Sequence, residues 1–310
     1  MSKFIYSPSK HVPFRDMEVL ERVRNIKRAD ITKHWNPDFK ITVLKDNEVD
    51  FRYITDIFYR IKTAADADEK LVLILGNPDP AYMFVAHLIN MFKVNCRKLH
   101  IFNMDEYADE DGNTAPEDWP LGFMYAMKHN FFLRVNPELR PPEKQINGPT
   151  TQNINYYGKQ LEDLGNADVC YSGAGWTGHL AFVEPDAPEV PKDLEEFKKM
   201  GPSIVTLSPF TLAQNSLHGS FGKSGDIAAV PPRAATIGPA EALKARLRID
   251  VNAITVHGTT TSWQRMTTRL VAHGPVTPLV PESVLQTVRT DFWISETLAA
   301  DIEPDWEKGY

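Results

Sequence analysis

The chain has 310 residues, 42% of them hydrophobic and 24% charged, with a formal net charge of −7. That suits one large α/β domain or two small ones with ample core, and the absence of a basic cluster argues against nucleic-acid binding. Two cysteines in apolar surroundings, Cys96 and Cys170, indicate neither a disulfide framework nor a zinc site. The start Met1-Ser-Lys-Phe-Ile lacks a signal-peptide core, and no apolar run approaches membrane-spanning length. The expectation is a cytoplasmic protein with no membrane partner.

Residues 1–38 carry mixed charge, three prolines and the pattern Met17-Glu-Val-Leu-Glu-Arg-Val-Arg, which predicts one short amphipathic helix in an irregular arm. From residue 39 to 310 the chain reads as one regular domain. Phe39–Leu44 alternates like a strand. Residues 48–64 place Val49, Tyr53, Ile54, Ile57, Phe58 and Ile61 on one helical face. Leu71–Leu75 is a continuous apolar run, as expected of a strand covered on both faces. Asp79-Pro80 has the form of an N-cap followed by proline at the first helical position, with a helix to Phe92. Strands follow at 99–103, 167–172, 203–207, 234–237, 249–256 and 290–294, with helices at 120–133, 151–164, 239–245 and 260–272 and a last helix at the C-terminus. This alternation predicts an α/β fold with a doubly wound, mostly parallel sheet and helices on both faces. The loops 108–119 and 183–202 are long, proline-rich and acidic, a form common in lids and binding loops.

Ligands of such sheets bind at the carboxyl ends of the strands, so the polar groups delivered there carry the functional reading. The strand at 99–103 runs into Asn103-Met-Asp-Glu-Tyr107, which places Asp105 and Glu106 just past its edge; one could be a general base, or one a helix cap and the other solvated. The strand at 167–172 enters Ser172-Gly-Ala-Gly-Trp-Thr-Gly-His-Leu-Ala-Phe-Val-Glu-Pro185. Its glycines allow close approach of the backbone to a ligand, and His179 and Glu184 form a titratable pair suited to proton transfer on a small molecule. A satisfied structural histidine is the competing reading. The turn lacks the dinucleotide spacing GxGxxG and its partner acid. Gly258-Thr-Thr-Thr-Ser262 closes a strand and offers hydroxyls and N–H groups, either to a ligand or simply to a helix start.

Together, Phe102–Tyr107 and Gly173–Pro185 resemble the glucosamine-6-phosphate deaminase/isomerase family, over a span from about Phe39 to the C-terminus. The resemblance implies a modified Rossmann fold and an aldose–ketose rearrangement coupled to loss of ammonia, with no metal or organic cofactor. Carried over by motif, Asp105 is the base that moves a proton between C2 and C1 of the opened sugar. His179 assists ring opening at the ring oxygen, and Glu184 orients that histidine. The family forms oligomers, so a homo-oligomer is a possible partner state. The related 6-phosphogluconolactonases share the fold and a glycine–histidine turn, which keeps a sugar lactone hydrolase open as an alternative, as is a sugar sensor without turnover.

The chain departs from the family pattern at Thr177, where an aspartate is usual, and at Val183 in place of asparagine. The family's phosphate-binding glycine loop is replaced by Gly76-Asn-Pro-Asp-Pro80. Pro78 and Pro80 lack N–H donors, and Asp79 sets a carboxylate where an anion would sit, a repulsion of roughly 4 kcal/mol at 4 Å and an effective dielectric near 20. The family's arginine and lysine fall near Leu212 and Thr261. An unphosphorylated sugar, amino sugar or sugar acid is therefore expected, with Arg265 the counter-argument. The expected sugar contacts are Gly76, Asn77, Asp79, Glu106, Gly175, Trp176, Thr177, Gly178, Thr261 and Arg265.

Overall fold

The structure is a computed structural model that describes residues 6–76, 81–253, 264–304 and 306. The arm contributes α1 (Met17–Arg24), capped by Asp16, whose carboxylate accepts from the N–H groups of Glu18 and Val19. After it come β1 (Phe39–Leu44), α2 (Val49–Asp66), β2 (Leu71–Leu75), α3 (Ala81–Phe92) and β3 (Leu99–Asn103). Next are β4 (Asp105–Ala108), α4 (Phe123–Asn130), β5 (Ile146–Asn147), α5 (Ile154–Asp163) and β6 (Val169–Ser172). They are followed by α6 (Leu194–Lys199), β7 (Ser203–Thr206), α7 (Pro209–Asn215), β8 (Arg233–Thr236) and α8 (Pro239–Lys244). The chain closes with β9 (Leu247–Asn252), α9 (Arg265–His273), β10 (Thr290–Ser295) and α10 (Glu296–Ala299).

Seven strands form one parallel sheet in the order β1-β10-β9-β6-β2-β3-β5. The apolar run Leu71–Leu75 is explained by its two covered faces. Leu71, Leu73 and Leu75 pack with Ile57, Phe58 and Ile61 of α2 and with Tyr82, Val85 and Ile89 of α3. Val72 and Ile74 point the other way, into the core that holds Tyr157 and Leu161 of α5 and Val271 and Ala272 of α9. Period-two side-chain alternation thus divides one hydrophobic string between two layers of helices.

Two expected strands leave this sheet. The segments read at 203–207 and 234–237 form β7 and β8; β8 pairs antiparallel with β4 on one side and with β7 on the other in a separate three-stranded sheet. Asp105 and Glu106 thereby lie on a strand and not in a loop. This sheet covers its own apolar cluster of Tyr107, Phe123, Phe182, Val205 and Phe221. The region 183–202, expected as one long loop, contains α6, capped by Asp193.

The arm is packed onto the core. Phe14, Val23 and Ile31 are buried. Arg269, fully buried on α9, donates to the carbonyls of Ile26, Arg265, Leu298, Ala299 and Ala300, joining the arm, α9 and the chain beyond α10. Arg269→Met keeps the volume but leaves these carbonyls without their donor. It is expected to lower stability by about 3 kcal/mol in urea denaturation, with the arm becoming sensitive to limited proteolysis first.

Candidate active site

Strands β2, β3 and β5 wind outward in one direction from the centre of the sheet, and β6, β9 and β10 in the other. The reversal falls between β2 and β6, and chain following such a switch point leaves a crevice at the carboxyl edge. A cavity of about 710 Å³ opens there, with Gly76, Asp105, Gly173, Gly175, His179, Phe182, Gln214 and His218 in its wall.

Asp105 enters this cavity from the seam between the two sheets. Met104 is the only residue between β3 and β4; its N–H donates to Leu75 and its carbonyl accepts from Ile237. Asp105 Oδ1 accepts from the N–H of Phe182 at 3.2 Å. Burial pushes its carboxyl up to about 7, against the opposing effects of Thr236, His179 and the Phe182 N–H. A base poised near neutrality is suited to taking and returning a proton. The Phe182 N–H is aimed by a tight turn, in which Val183 N–H bonds the Leu180 carbonyl and Ala181 has φ 55°. That left-handed conformation costs a non-glycine residue of the order of 1 kcal/mol.

His179 is buried on the opposite segment of the same turn. Glu184 Oε1 accepts from its Nδ1 at 3.1 Å, which fixes the proton on that nitrogen, and Thr211 Oγ1 lies 3.2 Å from it. Thr177 Oγ1 donates to Glu184 Oε2 at 2.7 Å. Threonine therefore keeps a place in the chain of contacts, but as a neutral donor. Burial opposes protonation of His179; Glu184 and Asp105 together outweigh it and raise its pKa. Nε2 lies over Gly175, where a methyl group would stand 2.2 Å from it and 2.9 Å from Gln214 Oε1. Only glycine leaves the imidazole its place. Gly178, with φ 74°, supplies the left-handed residue that returns the chain to His179.

The expected contacts divide. Gly76 and Gly175 line the cavity; Trp176, Thr177 and Gly178 build the turn behind it. Glu106 lies outside the cavity wall: its carboxylate accepts from the N–H groups of Tyr107, Phe123 and Met124 and caps α4. Arg265 Nε donates to the Thr297 carbonyl, and its side chain does not line the cavity. Asn77, Asp79 and Thr261 lie outside the described residues. The lining also differs from expectation, coming from 120–123 and 217–223 and not from 108–119 or 183–202. Sequence reasoning missed the inward face of α7 and the turn after it, although a signal was present: Thr211, Gln214 and Asn215 recur at helical spacing, and His218 follows three residues beyond the last of them. Among the described residues no group of three histidine, cysteine or acidic side chains is placed to hold a metal ion, and no helix is long and apolar enough to cross a membrane.

No family model matches the chain. Glucosamine-6-phosphate deaminase of Aedes aegypti is 31% identical over 162 residues, 50% of each chain. The enzyme of the same name from Mannheimia succiniciproducens is 31% identical over 176 residues, 55% of this chain and 58% of that one. The chain thus spans little more than half the length of these curated relatives. Among solved structures, a monomeric glucosamine-6-phosphate deaminase superposes with a TM-score of 0.66 at 19% identity, over 84% of this chain and 99% of that one. The 6-phosphogluconolactonase of Thermotoga maritima gives 0.55 at 16% identity, over 83% and 99%. These structures share the α/β fold.

The raised carboxyl has a consequence for stability. With its folded pKa at about 7 against an ordinary value of 3.8, Asp105 holds its proton longer in the folded state than in the unfolded one. Its contribution is therefore lost as pH rises from about 4 to 7, by at most about 4 kcal/mol. Asp105→Asn removes this loss: urea denaturation should show it more stable than the unmodified protein at pH 8, with the advantage vanishing by pH 4.

Proposed function

Since this chain is a divergent relative of the glucosamine-6-phosphate deaminases, we propose that it catalyses an aldose–ketose rearrangement of a sugar, with ammonia released when C2 carries an amine. The observation that supports this most is the pairing of a buried carboxyl raised to about 7, Asp105, with a glutamate-held imidazole, His179, in the wall of one cavity. An enediol-type shift needs both, a base over C2 and C1 and a separate acid at the ring oxygen.

His179, with Nδ1 engaged by Glu184, offers Nε2 to the ring oxygen and supplies the proton that opens the ring. Asp105 takes the C2 hydrogen as a proton and returns it to C1. The mutual attraction of the two groups favours the charged form of each, so the site holds an acid and a base near neutrality.

The substrate differs from a sugar 6-phosphate in this reading. The residues Asn77-Pro-Asp-Pro80 offer few N–H donors and one negative charge. Leu212, near which the family's arginine falls, packs against the apolar cluster of Tyr107 and Phe221. Arg265, the expected counter-argument, donates through Nε to the Thr297 carbonyl and does not line the cavity.

Solvent-exchange NMR in D2O with glucosamine and a panel of unphosphorylated sugars tests the reaction. Deuterium should enter at C2 with the unmodified protein, and Asp105→Asn should cut the rate at least 10²-fold while calorimetry shows binding within a few-fold. No exchange with any sugar, alongside hydrolysis of a sugar lactone, would put the lactonase reading in its place. Calorimetry with glucosamine and glucosamine 6-phosphate tests the subsite, and tight binding of the phosphorylated sugar alone would sink the altered-substrate reading. Gly175→Ala should abolish exchange by displacing the imidazole, with a thermal midpoint within a few degrees of the unmodified protein.

A further inference from the structure

The ring of His218 shares the cavity wall with Asp105, His179 and Gln214. It continues the inward face of α7. Thr211 reaches His179 Nδ1, Gln214 Oε1 accepts from the Trp176 N–H at 2.7 Å, and Asn215 donates to the Tyr107 hydroxyl at 2.9 Å. His218 comes next at the same spacing. Its backbone is fixed on both sides: its N–H donates to Asn215, and its carbonyl accepts from the N–H groups of Phe221 and Lys223. Three side chains of this face thus support the glycine turn and the neighbouring strand, whereas the His218 ring makes no hydrogen bond to any other described residue.

The rearrangement needs a second proton path besides the one between carbons. As C2 loses its hydrogen, the oxygen on C1 must gain a proton and the heteroatom on C2 must lose one. His179 has only Nε2 available, because Nδ1 is held by Glu184 and Thr211. Thr177, where the family pattern has a carboxylate, cannot carry a proton through an ionised state.

We propose that His218 is a second catalytic residue, which carries the proton between the heteroatom on C2 and the oxygen on C1 of the open-chain sugar while Asp105 moves the hydrogen between the carbons. This rests on the aldose–ketose reading. For an amino sugar, the Asp105 carboxylate takes the C2 hydrogen, the imidazole N–H gives its proton to O1, and the ammonium on C2 restores the imidazole. The products are a neutral enolamine and protonated Asp105. Asp105 then protonates C1, giving an iminium at C2 that water converts to ketose and ammonium. For a hydroxy sugar, the C2 hydroxyl takes the ammonium's place. Burial and the neighbouring His179 push the His218 pKa down to about 4. The ring is therefore neutral at working pH, the form able to give and retake one proton on a single nitrogen.

The test uses glucosamine and glucosamine 6-phosphate with the full chain and the variants His218→Asn, His218→Gln and His218→Gly, each checked by thermal unfolding. The expected result is a kcat lowered about 10²-fold or more with KM within about threefold, and recovery of His218→Gly by at least tenfold on adding imidazole. A kcat within threefold of the unmodified protein, a loss confined to KM, or no recovery with imidazole overturns the proposal. If one variant fails to fold, the others carry the same comparison, and the imidazole response separates a chemical from a structural loss. Absence of C2 exchange in the unmodified protein defeats this proposal together with the reading it rests on. Exchange in that protein and undiminished turnover in the variants defeats this proposal alone.

Discussion

One carboxyl group held out of water at the seam between two sheets is the constraint around which the rest of the site is arranged. Met104 links β3 to β4 and bonds backbone groups on both sides, so the next residue, Asp105, has little freedom of position. A buried acid destabilises the fold whenever it is charged, and here Thr236, His179 and one backbone N–H at 3.2 Å offset only part of that cost. Even that donor depends on a left-handed alanine. The protein accepts local strain and a destabilised anion in one place, a combination characteristic of reacting groups and seldom found in framework residues.

The second half of the site is arranged by the opposite rule. His179 is stabilised in its charged form by Glu184, which is itself buried and supported by Thr177. Burial alone would keep the imidazole neutral; contact with one glutamate and attraction to Asp105 across the cavity reverse that. Asp105 and His179 therefore interact at a distance, each easing the other's ionisation. Thr177 makes this sparser than a site with two acids behind the histidine, because a hydroxyl fixes orientation but adds no charge.

Where one physical effect governs a segment, the sequence was legible. The apolar run Leu71–Leu75 and the alternation of Phe39–Leu44 gave those strands with their observed bounds, and the turn around His179 stood out by its glycines and polar residues. Strand partnership was not legible. Nothing local distinguishes β7 and β8 from parallel strands, because pairing is decided by which apolar surface lies across from them. Asp105 and Glu106 look alike as letters, and only their alternation on β4 sends one to the cavity and the other to α4. The face of α7 was overlooked for a different reason: its cavity side is polar, so no hydrophobic stripe announces it.

The adjacency of those two acids makes their order matter. Asp105 has the shorter side chain and one backbone donor; Glu106 has the longer one and reaches three N–H groups, two of them at the start of α4. Interchanging them would leave composition, charge and length untouched. Yet the cavity would gain a carboxyl one methylene too long, and the helix would lose an anion by the same distance. A comparison that scores acids as equivalent would find the two chains nearly identical, although one has misplaced both its cavity carboxyl and its cap.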